Sequence, residues 1–397
     1  MTMRDPFRID SEKMSLHPRR VAQWLDAQHD WEKAREVFPI YVEVSPVGYC
    51  NHACTFCGVD YMLDRPEKPM LRPAVMTALL TDMHRHGVLS VMFAGAGEPL
   101  LYKPLADAIV HADGLGLDTS ITTNGVLLTE AFAQKAFTAE HLRWIKVSIN
   151  AGERDTYARI HRTKPEDFDK VLANLEAAAK VRDKLGSKCT LGAQMVALPE
   201  VRAADPKRAL MTVQYPSNYD TAPALARRLR DAGVDYLVVK PYSQHLMSSD
   251  TRAYQGTVYP DAAAWASDLR SYATDRFNVM VRHQTMSELE RPDRGYERCH
   301  ATPYHWAYVE ADGDVWGCSA YLGRDEGDKH YGDERFRYGN VNESSFAEVW
   351  RSDRRKANWE YVRDGLDISE CRQNCRMHQV NLHLEAVLTP GPHANFI

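Results

Sequence analysis

Several features are absent from this 397-residue sequence, and their absence narrows the class of protein. No window offers about 18 uncharged apolar residues, and the first ten residues mix arginine with aspartate where a secretion signal would be apolar. We therefore expect no membrane span and a cytoplasmic location. The formal net charge of -5 is mild and gives no electrostatic footprint for nucleic acid or an anionic membrane, so neither is expected as a partner.

Cysteine is scarce, with eight residues in the chain, yet seven of them fall into two groups. In a reducing compartment, thiols at short spacings are more often metal ligands than disulfide partners. We therefore expect metal sites. The eighth thiol, Cys189, precedes a predicted strand at a position that should pack outward against helices, and we expect it to be a spare thiol.

The remaining composition, 44% hydrophobic and 26% charged, is that of an ordinary globular protein. The sequence shows no internal repeat at solenoid periods and no low-complexity segment. A chain of this length is long enough for one large domain and a smaller one.

Short apolar runs alternate with helical patterns over most of the chain. Strands are predicted at 40–45, 90–94, 118–122, 144–149, 191–196 and 236–239. Helices are predicted at 72–87, 103–115, 128–138, 166–184, 222–233 and 260–273. Such alternation is typical of parallel strands joined by right-handed crossovers. The predicted fold class is therefore α/β, a partial (β/α)6 TIM-like barrel with its functional residues at the carboxyl ends of the strands.

The two ends of the chain depart from this pattern. Residues 1–36 favour a helical lead-in, residues 37–290 the barrel, and residues 291–397 a small α+β domain. In the small domain, the Asp312-Gly313 pair between apolar runs predicts a hairpin, and 345–362 predicts a helix. The proline-containing stretch 199–218 is long for a βα connection and is predicted to be a surface loop, with a lid as the alternative.

Three thiols follow the first predicted strand at the spacing C-x3-C-x2-C: Cys50, Cys54 and Cys57. A loop this short can wrap three thiolates around one compact iron-sulfur cluster and leave a fourth position without a protein ligand. The alternative is a chance grouping of buried apolar thiols.

The second group consists of Cys299, Cys318, Cys371 and Cys375. The first two bracket the predicted hairpin, and the last two form a C-x3-C pair after a predicted helix. Four thiols can converge only if the small domain folds around a metal. They suit one fully ligated 4Fe-4S cluster or a tetrahedral structural zinc.

A glycine-rich stretch, 94–99, ends the second predicted strand. Small residues at Gly95 and Gly97 would let a ligand approach the backbone, and Glu98 can accept a hydrogen bond. A tight turn without a ligand is the alternative reading of the same residues.

The cysteine loop after the first strand of a β/α barrel resembles the signature of the radical S-adenosylmethionine (SAM) superfamily. The resemblance extends to the family's GGEP motif, matched here by 96–99 with Ala96 in place of the first glycine. It implies that the three thiolates hold a 4Fe-4S cluster whose unique iron binds SAM, and that reductive cleavage of SAM gives a 5'-deoxyadenosyl radical. The residues it implies at the cofactor are Phe56, Gly95, Gly97, Glu98, Ser148, Arg159 and Gln194.

The second thiol group resembles the Twitch and SPASM auxiliary-cluster domains. Four cysteines suffice for one further 4Fe-4S cluster, which favours the single-cluster Twitch form. Such a cluster could accept an electron after hydrogen abstraction, and the layout resembles that of radical SAM dehydrogenases. The resemblance also implies an external electron donor of the flavodoxin or ferredoxin type.

Polar side chains at the last strand end of the barrel are the predicted substrate contacts. Lys240, Tyr242, Gln244 and His245 come first, followed by Asn150 and His283. They indicate a small polar metabolite, a sugar, an aminocyclitol or a nucleotide, and the resemblance implies a radical SAM oxidoreductase that takes hydrogen from it. One alternative is a peptide-modifying radical SAM maturase, although only about 36 residues precede the first strand, too few for a leader-binding domain. Another is a non-catalytic iron-sulfur or zinc protein.

Overall fold

The computed structural model describes residues 7–9, 11–205, 208–243, 248, 254–291, 293–323 and 332–396, with the backbone alone described for residue 64, 203–205 and 208–211. Two of the predicted substrate contacts, Gln244 and His245, lie outside the described residues. None of the described helices is both long and apolar enough to cross a bilayer.

A ten-stranded sheet organises the fold. Seven parallel strands form the barrel part of this sheet: β1 Tyr41–Val44, β2 Ser90–Phe93, β3 Asp118–Thr123, β4 Leu142–Ser148, β5 Thr190–Ala197, β8 Tyr236–Pro241 and β9 Asn278–Val281. The six predicted strands are confirmed, and β9 extends them by one. Since the sheet ends at β9 on one side, the barrel is open, as the predicted partial barrel requires.

Helices connect these strands and cover the outside of the sheet. In chain order the helices are α1 Pro18–Asp26, α2 Trp31–Ala34, α3 Tyr61–Asp64, α4 Pro73–Arg85, α5 Leu105–Leu115, α6 Glu130–Ala136, α7 Arg154–His161, α8 Pro165–Leu185, α9 Ala222–Asp231, α10 Ala262–Arg270, α11 His283–Glu288, α12 Phe346–Trp350, α13 Asp353–Asp364 and α14 His378–Leu388. Each predicted barrel helix is present, because apolar residues at helical spacing face the sheet. The longest, α8, starts at a proline and ends at Gly186, whose left-handed backbone (φ 64°) terminates the helix.

The stretch 199–218 differs from its prediction as a loop. It contains an antiparallel hairpin of β6 Val201–Asp205 and β7 Arg208–Tyr215, which pair only with each other. Asp205, the first residue of the Asp-Pro pair that suggested irregular structure, ends β6, and Pro206 lies outside the described residues.

The C-terminal region continues the barrel sheet. Strand β10 Trp306–Val309 pairs in parallel with β1, and β11 Asp314–Trp316 and β12 Arg337–Asn340 follow in antiparallel order. The hairpin predicted at Asp312-Gly313 is confirmed as the turn between β10 and β11. The predicted helix at 345–362 is present as α12 and α13, separated at 351–352. The domain boundaries at 36 and 290 stay a prediction.

Strand alternation separates the core from the barrel interior. The side chains of Val42, Val44, Ile121, Ile145 and Leu191 belong to the main apolar core between sheet and helices. The intervening positions face inward. As predicted, Cys189 is buried in the outer core.

Candidate functional site

The cysteine loop leaves the carboxyl end of β1 and is fastened to the end of α7. The Thr55 amide donates a hydrogen bond to the Ile160 carbonyl at 2.9 Å, and the Ala53 amide donates one to the His161 carbonyl at 3.3 Å. The Cys50 Sγ accepts a hydrogen bond from the His52 amide at 3.4 Å. These contacts hold over the barrel a loop whose three cysteines form no disulfide.

The chemistry of these thiols fits a cluster. Burial raises the pKa of Cys50 to about 12 and raises that of Cys54 well above its ordinary value, and the neighbouring thiols Cys50 and Cys57 raise the Cys54 pKa further. Thiols held this close together form thiolates at the same time only when a cationic centre neutralises them. An iron-sulfur cluster supplies that centre.

The glycine-rich stretch lies directly under the cysteine loop. A side chain at Gly97 would overlap the Val47 and Tyr49 carbonyl oxygens, and one at Gly95 (φ 113°) would overlap Tyr308 and Ser45. Glycine is required at both positions because other parts of the chain approach so closely.

Glu98 is used inside the protein. Its buried carboxylate accepts hydrogen bonds from the Thr123 hydroxyl at 2.5 Å, the Asn124 amide at 2.7 Å and the Leu100 amide at 3.0 Å. Burial raises the pKa of Glu98, and the three hydrogen bonds to its carboxylate oppose this rise. The side chain thus ties the end of β2 to the end of β3, and its predicted role at the cofactor stays a prediction.

The other residues predicted to contact SAM lie in two different places. Phe56 and Gln194 line the barrel cavity described below, and Gln194 donates a hydrogen bond to Ser148 at 2.6 Å. Arg159 is exposed on α7 and donates to the carbonyl of Gln214 in the hairpin. The structure therefore brings Gln194, Ser148 and Phe56 toward one place and leaves Arg159 outside it.

The second thiol group also converges. Cys299 precedes β10, Cys318 follows β11, and Cys371 and Cys375 lie just before α14. Burial is the main cause that raises the pKa of Cys299 to about 11, and the charges of Cys375 and Cys371 raise it further. The Tyr321 hydroxyl lies 3.5 Å from the Cys371 Sγ. Four neighbouring, partly buried thiols again fit a metal or cluster.

A cavity of about 430 Å³ connects the two thiol groups. Its wall includes Cys54 and Cys57 from the first group and Cys375 from the second. The Asn374 side chain, next to Cys375, donates a hydrogen bond to the Tyr242 carbonyl at 2.6 Å and so joins the second thiol group to the end of β8.

The predicted substrate contacts are only partly brought to this cavity. Lys240 and Tyr242 line it. Asn150 is fully buried elsewhere, where its Oδ1 accepts from the Val196 amide at 2.6 Å. His283 begins α11, and its neighbours Arg282 and Thr285 line the cavity in its place.

Several wall residues were not predicted from the sequence. They are Glu43, Lys146, Arg282, Tyr308, Arg372 and Arg376. Strand alternation alone could have indicated Lys146, which lies two residues before Ser148 on the same face of β4. Arg372 and Arg376 each follow a cysteine of the second group directly, a signal that was present in the sequence.

Comparison with known families agrees with this geometry. Residues 44–205 match the model of the radical SAM superfamily, and residues 299–376 match that of an iron-sulfur cluster-binding domain, SPASM. The chain therefore contains a radical SAM domain followed by a SPASM-type domain. The two domains imply SAM and two 4Fe-4S clusters as its cofactors, in preference to structural zinc.

Individual relatives are distant. A GTP 3',8-cyclase of Rhizobium etli is 31% identical over 149 residues, which are 36% of this chain and 41% of that enzyme. The chain thus spans less than half the length of this relative. A protein of Pyrococcus furiosus that modifies the cofactor of tungsten-containing aldehyde ferredoxin oxidoreductase is 23% identical over 325 residues, 79% of this chain and 81% of the other.

Among solved structures, Streptococcus suis SuiB bound to its precursor peptide SuiA superposes with a TM-score of 0.59 at 19% identity. The match covers 91% of this chain and 73% of SuiB. At this identity the likeness shows a shared fold.

Proposed function

We propose that this enzyme takes a hydrogen atom from a small polar metabolite and oxidises it, with the second cluster accepting an electron. The single observation that carries this proposal is the cavity whose wall contains thiols of both groups. A substrate in it would contact the SAM site and the auxiliary cluster at once.

The roles of the residues follow from their positions. Cys50, Cys54 and Cys57 would hold the SAM-binding cluster, and Cys299, Cys318, Cys371 and Cys375 the auxiliary cluster. When bound, SAM and the reduced first cluster supply a carbon radical that takes hydrogen from the substrate, and the second cluster supplies the acceptor for the electron released. Phe56, Gln194 and Ser148 would position SAM, and Lys240 and Tyr242 would face the substrate.

Enclosure in the barrel supports radical chemistry. The cavity wall combines apolar groups, such as Met92, Val196 and Val238, with polar and charged ones. The apolar groups limit the access of water to the reacting centre, and the polar ones fix the orientation of the substrate. An external reductant of the flavodoxin or ferredoxin type would supply the first electron.

The test is an anaerobic assay of the reconstituted enzyme with SAM and dithionite. We expect about eight iron atoms per chain for two clusters and formation of 5'-deoxyadenosine. A panel of phosphorylated sugars, nucleotides and aminocyclitols should contain a compound that increases this formation and is itself oxidised. Absence of 5'-deoxyadenosine, or turnover of peptides without turnover of any metabolite, would overturn the proposal.

A further inference from the structure

The wall of the cavity is strongly basic. Five cationic side chains line it, Lys146, Lys240, Arg282, Arg372 and Arg376, against one carboxylate, Glu43. This local excess contrasts with the net charge of -5 of the whole chain. A concentration of one sign of charge inside a cavity attracts ligands of the opposite sign.

Two of the five cationic side chains have another role in the structure. Arg376 forms an ion pair with Glu43, whose carboxylate also accepts a hydrogen bond from the Tyr41 hydroxyl at 3.0 Å. Arg372 follows Cys371 directly, so it lies beside the auxiliary cluster site, where four thiolates would carry negative charge. The wall also contains two lysines, Lys146 and Lys240, with Arg282 close to both.

Neither of the two lysines in the cavity wall forms an ion pair with a described carboxylate. Among the described residues, no hydrogen-bond or ion-pair partner is found for either ammonium group, and the Lys146 Nζ lies over the ring of Trp144, 4.8 Å from its centroid. Burial lowers the pKa of Lys146 to about 7, and the charges of Lys240, Arg376 and Arg282 lower it further. Burial likewise lowers the pKa of Lys240 to about 8, with contributions from Arg282, Arg376 and Arg372. Buried ammonium groups are costly unless something pairs with them.

We infer that Lys146, Lys240 and Arg282 form a basic subsite that binds an oxyanion group of the substrate, a phosphate or a carboxylate. The identity of this ligand as the substrate rests on the proposed function. Lysine and arginine are the usual protein ligands of such groups. Lys146 lies on β4, Lys240 lies on β8, and Arg282 directly follows β9. The bound anion would therefore lie near these three strands, on the side of the barrel away from β1.

Binding to the SAM-loaded holoenzyme tests the subsite without turnover. Inorganic pyrophosphate and citrate serve as phosphate and carboxylate probes in anaerobic calorimetry, with ribose as the neutral control. We expect at least one oxyanion to bind and ribose not to bind. Lys146→Gln and Lys240→Gln should each weaken that binding on the order of 10- to 100-fold, whereas Lys240→Arg should retain it. Lys184→Gln, an exposed change on α8, is the matched control and should bind like the parent.

Two results would overturn the subsite: absence of oxyanion binding to the parent enzyme, or equal binding by the Lys240→Gln and Lys184→Gln variants. Iron content measured on each variant separates a lost subsite from a misfolded chain. Formation of 5'-deoxyadenosine on the same preparations reports on the proposed function. Its loss would overturn that function while leaving the binding result valid.

A second, independent observation concerns His161, whose Nδ1 lies 3.3 Å from the Cys54 Sγ. Its Nε2 lies 3.3 Å from the Asn150 amide nitrogen and 3.2 Å from the Asn150 Nδ2. A backbone amide can only donate, and the Asn150 Oδ1 is already engaged with the Val196 amide, so Nε2 is the acceptor. A ring nitrogen that accepts a hydrogen bond carries no proton, so the ring proton is on Nδ1, directed at Cys54.

We propose that His161 is a positioning residue that donates an N–H···S hydrogen bond to the Cys54 thiolate and raises the reduction potential of the SAM-binding cluster. Donors to cluster sulfurs stabilise the additional electron of the reduced state. Asn150, predicted as a substrate contact, would instead fix the tautomer of His161.

The measurement is the midpoint potential of the SAM-binding cluster by anaerobic redox titration with electron paramagnetic resonance. His161→Phe, which removes the donor, should lower the potential, and His161→Asn, which can place an N–H near the Nδ1 position, should restore it in part. Iron content confirms that each variant holds its clusters. A potential in His161→Phe equal to that of the parent would overturn the proposal.

Discussion

Arg355 should be one of the most sensitive positions for the stability of this protein. It is fully buried on α13 and lies between the rings of Trp350 and Trp31, with its guanidinium carbon 4.0 and 5.5 Å from their centroids. It donates four hydrogen bonds, all to backbone carbonyls, at 2.9–3.4 Å: those of Trp350, Pro303, Ala34 and Val37. One side chain thus joins the N-terminal lead-in, the segment before β10 and the C-terminal helices.

The expected magnitude follows from two opposing effects. Each hydrogen bond to a charged group contributes about 1.5–3 kcal/mol, so four contribute about 6 kcal/mol at the low end. Burial lowers the pKa of Arg355 to about 10, which corresponds to about 3 kcal/mol against the charged form. The difference between these two contributions is a net stabilisation of about 3 kcal/mol. Arg355→Met should lower the free energy of unfolding by at least this amount.

The assay is chemical denaturation of the anaerobic holoenzyme. Arg354→Met is the matched control, because Arg354 is exposed and pairs only at 3.7 Å with Glu334. It should change stability by no more than about 0.5 kcal/mol. Arg355→Lys should be intermediate, since it keeps the charge and loses the planar array of donors. Equal stability of Arg355→Met and Arg354→Met would refute the reasoning.

Three further predictions concern the site itself. Cys54→Ala should abolish formation of 5'-deoxyadenosine, whereas Cys371→Ala should spare it and reduce substrate oxidation; loss of cleavage in both variants would contradict separate roles. Because burial and neighbouring cations hold the Lys240 pKa at about 8, calorimetric affinity for pyrophosphate should fall as pH rises through about 8, and pH-independent affinity between 6.5 and 9 would contradict this. Gly97→Ala would overlap backbone carbonyls before the cysteine loop and should weaken SAM binding about tenfold or more, while Gly114→Ala, with open space around it, should leave SAM affinity unchanged.

The barrel could be predicted from the sequence because its signal is local. Each strand is a short run with apolar or β-branched residues and each helix repeats apolar residues at helical spacing, so neighbouring residues are sufficient. The cysteine triplet and the Cys371–Cys375 pair could be recognised in the same way, since only a few residues separate their members. The hairpin β6–β7 was not predicted because prolines and polar residues interrupt the alternating apolar pattern expected of its strands.

The composition of the cavity wall depends on tertiary contacts. Asn150 lies just beyond the end of β4, where a substrate contact would be expected. Its side-chain amide instead forms hydrogen bonds with His161 and the Val196 backbone. His283 was predicted on the same ground, but the chain enters α11 there and presents Arg282 and Thr285 instead. Whether a polar side chain at a strand end faces ligand or protein is decided by the residues packed on it.

The central claim is that a small anionic metabolite meets the radical between the two cluster sites. Transfer of deuterium tests it most directly: the reduced enzyme is incubated with SAM and a deuterated compound that stimulates cleavage, and 5'-deoxyadenosine is examined by mass spectrometry. The account predicts that deuterium from an anionic metabolite appears in 5'-deoxyadenosine and that the metabolite is oxidised. Transfer of deuterium from a peptide, with none from any metabolite, would contradict it.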